Sequence, residues 1–196
     1  MSWGGKLWVF GGERSSFAFN DVWSYDIPTD KWAFVTPAAG ALPSPRHDHT
    51  AVVTDAGVMI VYGGRQGMTA LADMWAFDLT TATWSLVTAT VTAEDIGARP
   101  RYSHSAVIPP GDTAMYVFGG YANGDGLSDQ FDRCDVATGV CTNLNLGCNG
   151  TSTSFMPATL SARYEHTAFA DSRFVYVFGG AAAESAAGNE CTDPWS

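Results

Sequence analysis

The sequence has little charge, and the charge it has is mostly of one sign. Only 15% of its 196 residues are Asp, Glu, Lys or Arg, and 20 acidic against 10 basic side chains give a formal net charge of −10. A surface this negative repels the phosphates of nucleic acids and anionic lipid headgroups. We therefore expect no nucleic-acid partner and no insertion into a membrane.

Long apolar runs and helical periodicity are also missing. No apolar stretch approaches the length of a membrane-spanning helix. Residues 1–6 lack the basic segment and the following apolar stretch of a signal peptide. No segment sustains an apolar period of 3.6 residues, so the pattern predicts no helices.

Glycine and aromatic residues are plentiful instead. The chain has 21 Gly, is 13% aromatic and is 46% hydrophobic. Short runs of β-branched and aromatic residues lie between Gly, Pro and Asp turns, which is the pattern of β-strands. The composition therefore favours an all-β protein.

Four of the apolar runs end on a pair of glycines, at nearly equal steps along the chain. A single run of this kind would mean little, whereas four in phase indicate an internal repeat. The pairs are Gly11 and Gly12, Gly63 and Gly64, Gly119 and Gly120, and Gly179 and Gly180.

Two further features recur in phase with the glycine pairs. Upstream lies Arg-x-x-His, present as Arg46 with His49, Arg101 with His104, and Arg163 with His166. Downstream, two repeats carry an acidic and aromatic strand, residues 21–26 and 73–78, followed by Trp32 and Trp84 respectively.

This set of motifs resembles the kelch repeat and covers nearly the whole chain. The resemblance implies a kelch-type β-propeller, in which each repeat forms a blade of four antiparallel strands. We expect one domain, with blade 1 at about residues 1–40 lacking its first strand, blade 2 at about 41–96, blade 3 at about 97–158, and a partial blade 4 at about 159–196. Because kelch propellers usually close with more blades, these three and a half predict an incomplete ring and a fragment of a longer protein.

The physical chemistry of the motif residues is structural. Paired glycines allow positive φ and a close approach of neighbouring backbone. The Arg and His of each repeat are expected to bond neighbouring backbone and join the blades, and Trp32 and Trp84 to pack between blades. Since the histidines occur one per blade without ligand-pair spacing, we expect no metal and no cofactor.

The third repeat replaces both aromatics of one cross-strand pair by Cys134 and Cys141. Facing residues of antiparallel strands come close enough for a disulfide, so we predict this bond. Cys148 and Cys191 are a possible second pair, although four cysteines allow three connectivities, and a zinc site is the weaker alternative. With the glycosylation sequon at Asn149, the cysteines favour an extracellular or luminal location, the alternative being cytoplasmic.

The resemblance to kelch proteins implies that the chain binds another protein. Strands 2 and 3, and strands 4 and 1, are joined on one face of the disk, where the longer connections lie, so this face is the candidate binding surface. Its candidate contact residues, each alternatively an ordinary solvated loop residue, are Arg14, Phe17, Arg65, Met68, Tyr121, Asn123 and Asp125.

Two other functions stay open. Some enzymes are built on kelch-like propellers, among them galactose oxidase, so the chain is alternatively part of a carbohydrate-related or oxidase-like enzyme. No spacing in the sequence supplies a metal set, a carboxylate pair or an activated nucleophile, and we predict no catalytic residues. The third possibility is a purely architectural segment of a multidomain extracellular protein.

Overall fold

The fold is seen in a computed structural model that describes residues 1–88, 96–97, 99–122, 126–144 and 160–182. In those residues every helical or extended element is a β-strand, so the all-β prediction is confirmed. In chain order the strands are β1 (Ser2–Trp3), β2 (Lys6–Arg14), β3 (Phe17–Asp26), β4 (Lys31–Val35), β5 (Thr50–Val53), β6 (Val58–Tyr62), β7 (Arg65–Gln66), β8 (Thr69–Ala70), β9 (Met74–Asp78), β10 (Thr83–Val87), β11 (Ile96–Gly97), β12 (Arg101–Tyr102), β13 (Ser105–Val107), β14 (Ala114–Phe118), β15 (Tyr121–Ala122), β16 (Gly126–Leu127), β17 (Phe131–Asp135), β18 (Val140–Asn143), β19 (Thr167–Ala170) and β20 (Val175–Phe178).

The main strands form four successive antiparallel sheets, which are the blades of a β-propeller. Their orders are β1-β2-β3-β4 in blade 1, β5-β6-β9-β10 in blade 2, and β13-β14-β17-β18-β11 in blade 3, and the described part of blade 4 is the pair β19-β20. Strand β13 contacts both β5 and β19, so the first strands of neighbouring blades lie side by side near the axis. The predicted kelch-type architecture is confirmed.

Blade 1 differs from the expectation that it lacks a first strand. The two-residue strand β1 pairs with β2, with Ser2 opposite Leu7 and Trp3 opposite Lys6. Gly4 and Gly5 form the tight turn between them with φ values of 59° and 75°, the left-handed conformation that a type I′ hairpin turn requires. The two-residue strand β1 therefore takes in blade 1 the position that the four-residue strand β5 takes in blade 2.

The hydrophobic core lies between the blades, because alternate side chains of each sheet point to opposite neighbours. In β6, Met59 and Val61 pack towards blade 1, whereas Ile60 and Tyr62 pack towards blade 3. The buried residues of the first junction are Trp8, Phe10 and Val22 from blade 1, and Met59, Val61, Trp75, Phe77, Leu79 and Trp84 from blade 2.

At the second junction a disulfide stands where blade 2 has two aromatic rings. Cys134 in β17 faces Cys141 in β18, and the two are bonded and almost fully buried. They pack with Ile60, Tyr62 and Met74 of blade 2. Cys148, Cys191 and Asn149 lie outside the described residues.

Trp32 does not pack between blades as expected. It is 57% exposed, whereas its counterpart Trp84 is 6% exposed in the first junction. Trp32 belongs to the face of blade 1 that points away from blade 2, and no described residue covers that face. We call it the outward face of blade 1, and its exposed members are Leu7, Val9, Trp23, Trp32 and Phe34.

In blades 1 to 3 the connection between strands 2 and 3 contains a pair of hydrogen-bonded strands. In blade 1 the pairing of β2 with β3 continues to Arg14 opposite Phe17, and the turn residues Ser15 and Ser16 are left-handed. Blade 2 forms the small hairpin β7-β8, and blade 3 the hairpin β15-β16. These hairpins carry side chains on a rigid base at one face of the disk.

Candidate functional site

The arginine of each Arg-x-x-His motif holds together the strands of its own blade. Arg46 is fully buried. Its Nη1 and Nη2 atoms donate to the two carboxylate oxygens of Asp73 at 2.8 Å each, and Nη1 also donates to the carbonyl of Gly63 at 3.0 Å. Burial opposes the charge of Asp73, but the hydrogen bonds from Arg46 and Trp75 hold the pKa of its carboxyl below the usual value.

The other two repeats keep this arrangement with changes. In blade 3 the carboxylate partner of Arg101 is Asp132, and Gln130 accepts a second bond at 3.3 Å. In blade 4 Arg163 donates to the carbonyl of Gly179 at 3.1 Å. The side-chain hydrogen bonds of the motif arginines thus stay within their own blades, although Nη1 of Arg101 is buried without a partner among the described residues.

The motif histidines join neighbouring blades. The Nε2 atom of His104 lies 2.8 Å from the hydroxyl of Thr50, and that of His166 lies 2.7 Å from the hydroxyl of Ser105. Burial lowers the pKa of all three motif histidines, to about 4 for His49 and well below the usual value for His104. They are neutral structural groups, and among the described residues no three His, Cys, Asp or Glu side chains gather as metal ligands.

The glycine pairs provide the space for these contacts. A Cβ on Gly63 would lie 2.6 Å from the carbonyl oxygen of Arg101 and 3.0 Å from Cε1 of His104, both in the next blade. A Cβ on Gly64 would lie 2.6 Å from Cβ of His49 in its own blade. The first glycine of a pair therefore leaves space for the backbone and histidine of the next blade. The second glycine leaves space for the histidine of its own blade.

These contacts of the arginines, histidines and glycines bring two positions of the repeat together. One is the residue that follows the glycine pair, and the other is the second residue of the Arg-x-x-His motif. Within a blade the two are opposite each other: His47 with Arg65, Tyr102 with Tyr121, and Tyr164 with Ala181. Across the junctions the same two positions meet again and form one continuous row. We call this row the junction arc, and its members are Glu13, His47, Arg65, Tyr102, Tyr121 and Tyr164.

Each junction of the arc is closed by a different interaction. Between blades 1 and 2, Glu13 Oε2 lies 3.0 Å from His47 Nε2. Between blades 2 and 3, the guanidinium of Arg65 lies 4.8 Å from the ring centre of Tyr102. Between blades 3 and 4, the rings of Tyr121 and Tyr164 are 4.8 Å apart.

The third residue of each motif borders the arc in a left-handed conformation. Asp48, Ser103 and Glu165 have φ values of 56°, 55° and 53°. The amide of Ser103 donates to the carbonyl of Asp48 at 2.8 Å, and the amide of Glu165 to that of Ser103 at 3.0 Å. The side chain of Asp48 is thereby placed to accept from Nε of Arg65 at 2.8 Å.

A cavity of about 340 Å³ opens next to the part of the arc that blade 3 contributes. It lies between Arg99 and Pro100, which precede the Arg-x-x-His motif of blade 3, and the hairpin around Leu127. The arc and this cavity belong to the same face of the disk, because both are formed by the connections that join strands 2 and 3 and strands 4 and 1.

Two of the predicted contact residues, Arg65 and Tyr121, lie in the arc. Arg14, Phe17 and Met68 lie at exposed hairpin positions on the same face, with Met68 95% exposed. Asn123 and Asp125 fall outside the described residues. Sequence reasoning missed Glu13, His47, Tyr102 and Tyr164, although each occupies a variable position of the repeat that a comparison of the repeats in phase would have found.

Comparisons with known proteins agree with this architecture. The family model of the attractin/LZTR1 beta-propeller matches residues 7–195. The chain is 30% identical over 187 residues to the leucine-zipper-like transcriptional regulator 1 homolog of Drosophila melanogaster, covering 91% of this chain and 18% of that protein. It is 30% identical over 184 residues to human Kelch domain-containing protein 3, covering 92% of this chain and 44% of the relative.

One similar protein is named as an enzyme. The N-(sulfonatooxy)prop-2-enimidothioate sulfolyase of Thlaspi arvense is 31% identical over 123 residues, covering 62% of this chain and 34% of the relative. The chain thus spans less than half the length of each of these three relatives. In the described residues no helix is long and apolar enough to span a membrane.

Proposed function

The chain belongs to the attractin/LZTR1 β-propeller family, and on that basis we propose that it is a protein-interaction module that binds its partner through the face carrying the junction arc. The partner lies over the hairpins that join strands 2 and 3 and over the motif residues between Arg and His. This proposal names the face and leaves the identity of the partner to experiment.

The observation that carries the proposal is the composition and placement of the arc. Tyr and Arg are among the residues that are enriched at the positions contributing most to protein–protein binding. Here one arginine and three tyrosines follow each other across two junctions. Their backbones are fixed by the bridges within each blade, so little conformational entropy is lost on binding.

The turns on the opposite face use their polar groups internally. The carboxylate of Asp78 accepts from the amides of Thr80 and Thr81, and that of Asp135 accepts from the amides of Ala137 and Thr138. These hydrogen bonds lower the pKa of both carboxyls. The charged groups of these two turns are therefore committed to turn geometry and are poor candidates for partner contacts.

We also propose an oxidising, extracellular or luminal location for the chain. The support is the buried Cys134–Cys141 bond, since disulfides persist mainly in oxidising compartments. Mass spectrometry of the native protein after alkylation tests it. The proposal requires these two cysteines to escape alkylation in denaturant until a reductant is added, and free thiols in the protein taken from its own compartment would contradict it.

Site-specific photo-cross-linking in an extract of the source cells tests the binding face. A benzophenone amino acid is placed at Met68, which is exposed beside the arc, and, as the control, at Asp55 in a turn on the opposite face. We expect protein cross-links from position 68 that disappear when Arg65 and Tyr121 are both replaced by alanine. Cross-links of equal yield from position 55, or cross-links from 68 that survive the double substitution, would contradict the proposal.

A further inference from the structure

We infer that the side of blade 4 that points away from blade 3 is a binding site for the first strand of a further repeat. The site is formed by Glu165, Thr167, Phe178, Gly179 and Gly180, and it recognises a histidine that follows three residues after a bound backbone carbonyl. The inference does not depend on the proposed binding face, because it follows from comparing blade 4 with the three junctions of the described residues.

In each junction the motif histidine meets the same two groups of the preceding blade. The first is the last aromatic ring of that blade's second strand, whose centre lies 5.2–5.3 Å from the centre of the histidine ring. The second is the first glycine of the pair, where a Cβ would lie 2.9–3.2 Å from Cε1 of the histidine. In the second and third junctions Nε2 also lies 2.8 and 2.7 Å from the hydroxyl of the residue after the preceding motif. The histidine is therefore held by shape, by a ring contact and by a hydrogen bond.

Backbone hydrogen bonds join the same elements. The carbonyl of the motif arginine accepts from the amide of the second glycine of the preceding blade, at 2.8–2.9 Å in all three junctions. The amide of Ser103 donates to the carbonyl of Asp48, and that of Glu165 to the carbonyl of Ser103, so the third motif residue repeats its contact as well. Every group that receives a motif thus belongs to one blade, and a single blade is enough to form the site.

Blade 4 presents these groups with no motif bound to them. Phe178 is 75% exposed, whereas its counterparts in the other three blades are buried. A Cβ on Gly179 would meet no described atom within 4 Å. Among the described residues, the hydroxyl of Thr167, the amide of Gly180 and the carbonyl of Glu165 have no hydrogen-bond partner, and all three residues are exposed. Since one repeat cannot bury such a surface alone, a further repeat is the occupant that fits it.

The sequence has no spare motif for this site. Its three Arg-x-x-His motifs begin at Arg46, Arg101 and Arg163, and each is already bound in a junction. A second copy of the chain would bring the outward face of its blade 1, where the first strand is Ser2–Trp3 and carries no histidine. The strand that binds blade 4 therefore comes from outside these 196 residues.

The junctions also show which side chain of the motif is recognised. The side chain of Arg46 bonds Asp73 of its own blade, and only its carbonyl reaches the preceding blade. The histidine side chain, by contrast, extends across the junction, as His104 does to Thr50. Loss of the histidine should therefore weaken binding to blade 4 more than loss of the arginine.

Fluorescence anisotropy of the full chain with a labelled peptide of residues 99–107 at pH 8 tests the site. Replacing His104 of the peptide by alanine should weaken binding several-fold. Replacing Arg101 of the peptide by alanine should cause a smaller loss, which reports the general attraction of a basic peptide to a chain with a net charge of −10. In the chain, Gly179→Ala fills the space of the histidine and Thr167→Val removes the hydroxyl, so each should weaken binding several-fold.

Gly67→Ala is the matched control and should leave binding unchanged. Gly67 has a positive φ like Gly179 and open space around the position of a Cβ, but it lies in the hairpin of blade 2. Thermal melting of each variant verifies that it folds. The inference would be overturned by a peptide that does not bind, by an arginine replacement as damaging as the histidine replacement, or by binding that neither Gly179→Ala nor Thr167→Val weakens. Cross-linking from Met68 decides the proposed binding face separately.

Discussion

The imidazole Nε2 of His104 lies 2.8 Å from the hydroxyl oxygen of Thr50, which belongs to the first strand of the preceding blade. The next repeat places His166 against Ser105 in the same way. The ring of each histidine also meets the last aromatic of the preceding second strand edge-on, as His104 does with Tyr62. One side chain per repeat therefore supplies both a polar and an aromatic contact across the junction.

The first prediction removes the polar contact alone. Thr50→Val keeps the shape and strand preference of the side chain but leaves a buried histidine nitrogen without a partner. We expect a loss of about 1–3 kcal/mol in the free energy of unfolding, measured by urea denaturation at pH 8. Thr36→Val, at an exposed position, is the control and should change stability by less than about 0.5 kcal/mol. A Thr50→Val protein as stable as the control would show that this bond contributes nothing.

The second prediction concerns the stability of the fold at acidic pH. Burial lowers the pKa of His49 to about 4 in the folded protein, against about 6.5 in the unfolded chain. Between these values the unfolded chain binds a proton that the folded protein does not, so stability falls as the pH drops from about 6.5 towards 4. The loss from His49 alone is about 3 kcal/mol, and His104 and His166 act in the same direction because their pKa values are also lowered.

Unfolding free energies at pH 8, 7, 6 and 5 measure this dependence. His49→Gln removes one titrating group, so between pH 6 and 5 the slope of its stability curve should be smaller than that of the wild type by the equivalent of about one bound proton. The variant is less stable at pH 8, and the comparison therefore uses the slope and not the absolute value. Parallel curves for the two proteins would rule out the assignment to His49.

The third prediction concerns the disulfide at the second junction. Replacing Cys134 and Cys141 by alanine releases the constraint on the unfolded chain and removes two buried sulfur atoms. Loop closure alone accounts for about 2–3 kcal/mol, so we expect at least that loss. Wild-type protein treated with a reductant should lose more stability than the variant treated in the same way. A wild-type melting temperature that is the same with and without reductant would contradict a stabilising bond.

The fourth prediction concerns the outward face of blade 1. Met59 and Val61, the counterparts in blade 2 of Leu7 and Val9, are fully covered in the first junction, whereas Leu7 and Val9 are 39% and 43% exposed. A contiguous apolar surface of this kind promotes association. We expect the chain alone to self-associate in sedimentation velocity, and Trp32→Ser with Phe34→Ser to shift it towards the monomer.

Met68→Ser is the control for this experiment. It removes an isolated apolar side chain that is even more exposed and should leave the association unchanged. A wild-type chain that sediments as a single monomeric species and melts cooperatively would refute both the self-association and the expectation that the ring is incomplete.

The repeat motifs predicted the junctions well because each motif residue has a local physical role. The glycine pairs and the Arg-x-x-His motif lie where repeated backbone contacts need them, and the in-phase cysteines face each other in β17 and β18. The first strand of blade 1 was also within reach of sequence analysis, since Gly4 and Gly5 between short strands are a signal for a hairpin.

Other features depend on neighbours in space and could not be predicted from one repeat. In blade 3 Gln130 occupies the position that Asp73 has in blade 2. The carboxylate that pairs with Arg101 is therefore that of Asp132, which lies further along the chain. The junction arc arises only when the residue after one glycine pair meets the motif of the next blade. The sequence analysis therefore predicted Arg65 and Tyr121 as separate loop residues and not as one row.

The last prediction contrasts two arginines of blade 2. Arg46 is fully buried and bonded to both oxygens of Asp73, so Arg46→Ala leaves Oδ1 of Asp73 and the carbonyl of Gly63 without this donor, while Oδ2 keeps the bond from Trp75. We expect a loss of about 3 kcal/mol in unfolding free energy. The Arg65 side chain is 36% exposed and its ion pair with Asp48 is screened by solvent, so Arg65→Ala should cost no more than about 1 kcal/mol.

The two substitutions should affect partner binding in the opposite order to their effects on stability. Because Arg65 belongs to the arc, Arg65→Ala should weaken cross-linking from position 68 although the protein is nearly as stable as the wild type. Arg46→Ala, assayed at a temperature where it remains folded, should retain cross-linking, since its side chain is offered to no partner. If both variants lose the cross-link in proportion to their loss of stability, Arg65 acts only through the fold; a loss confined to Arg65→Ala places it in the interface.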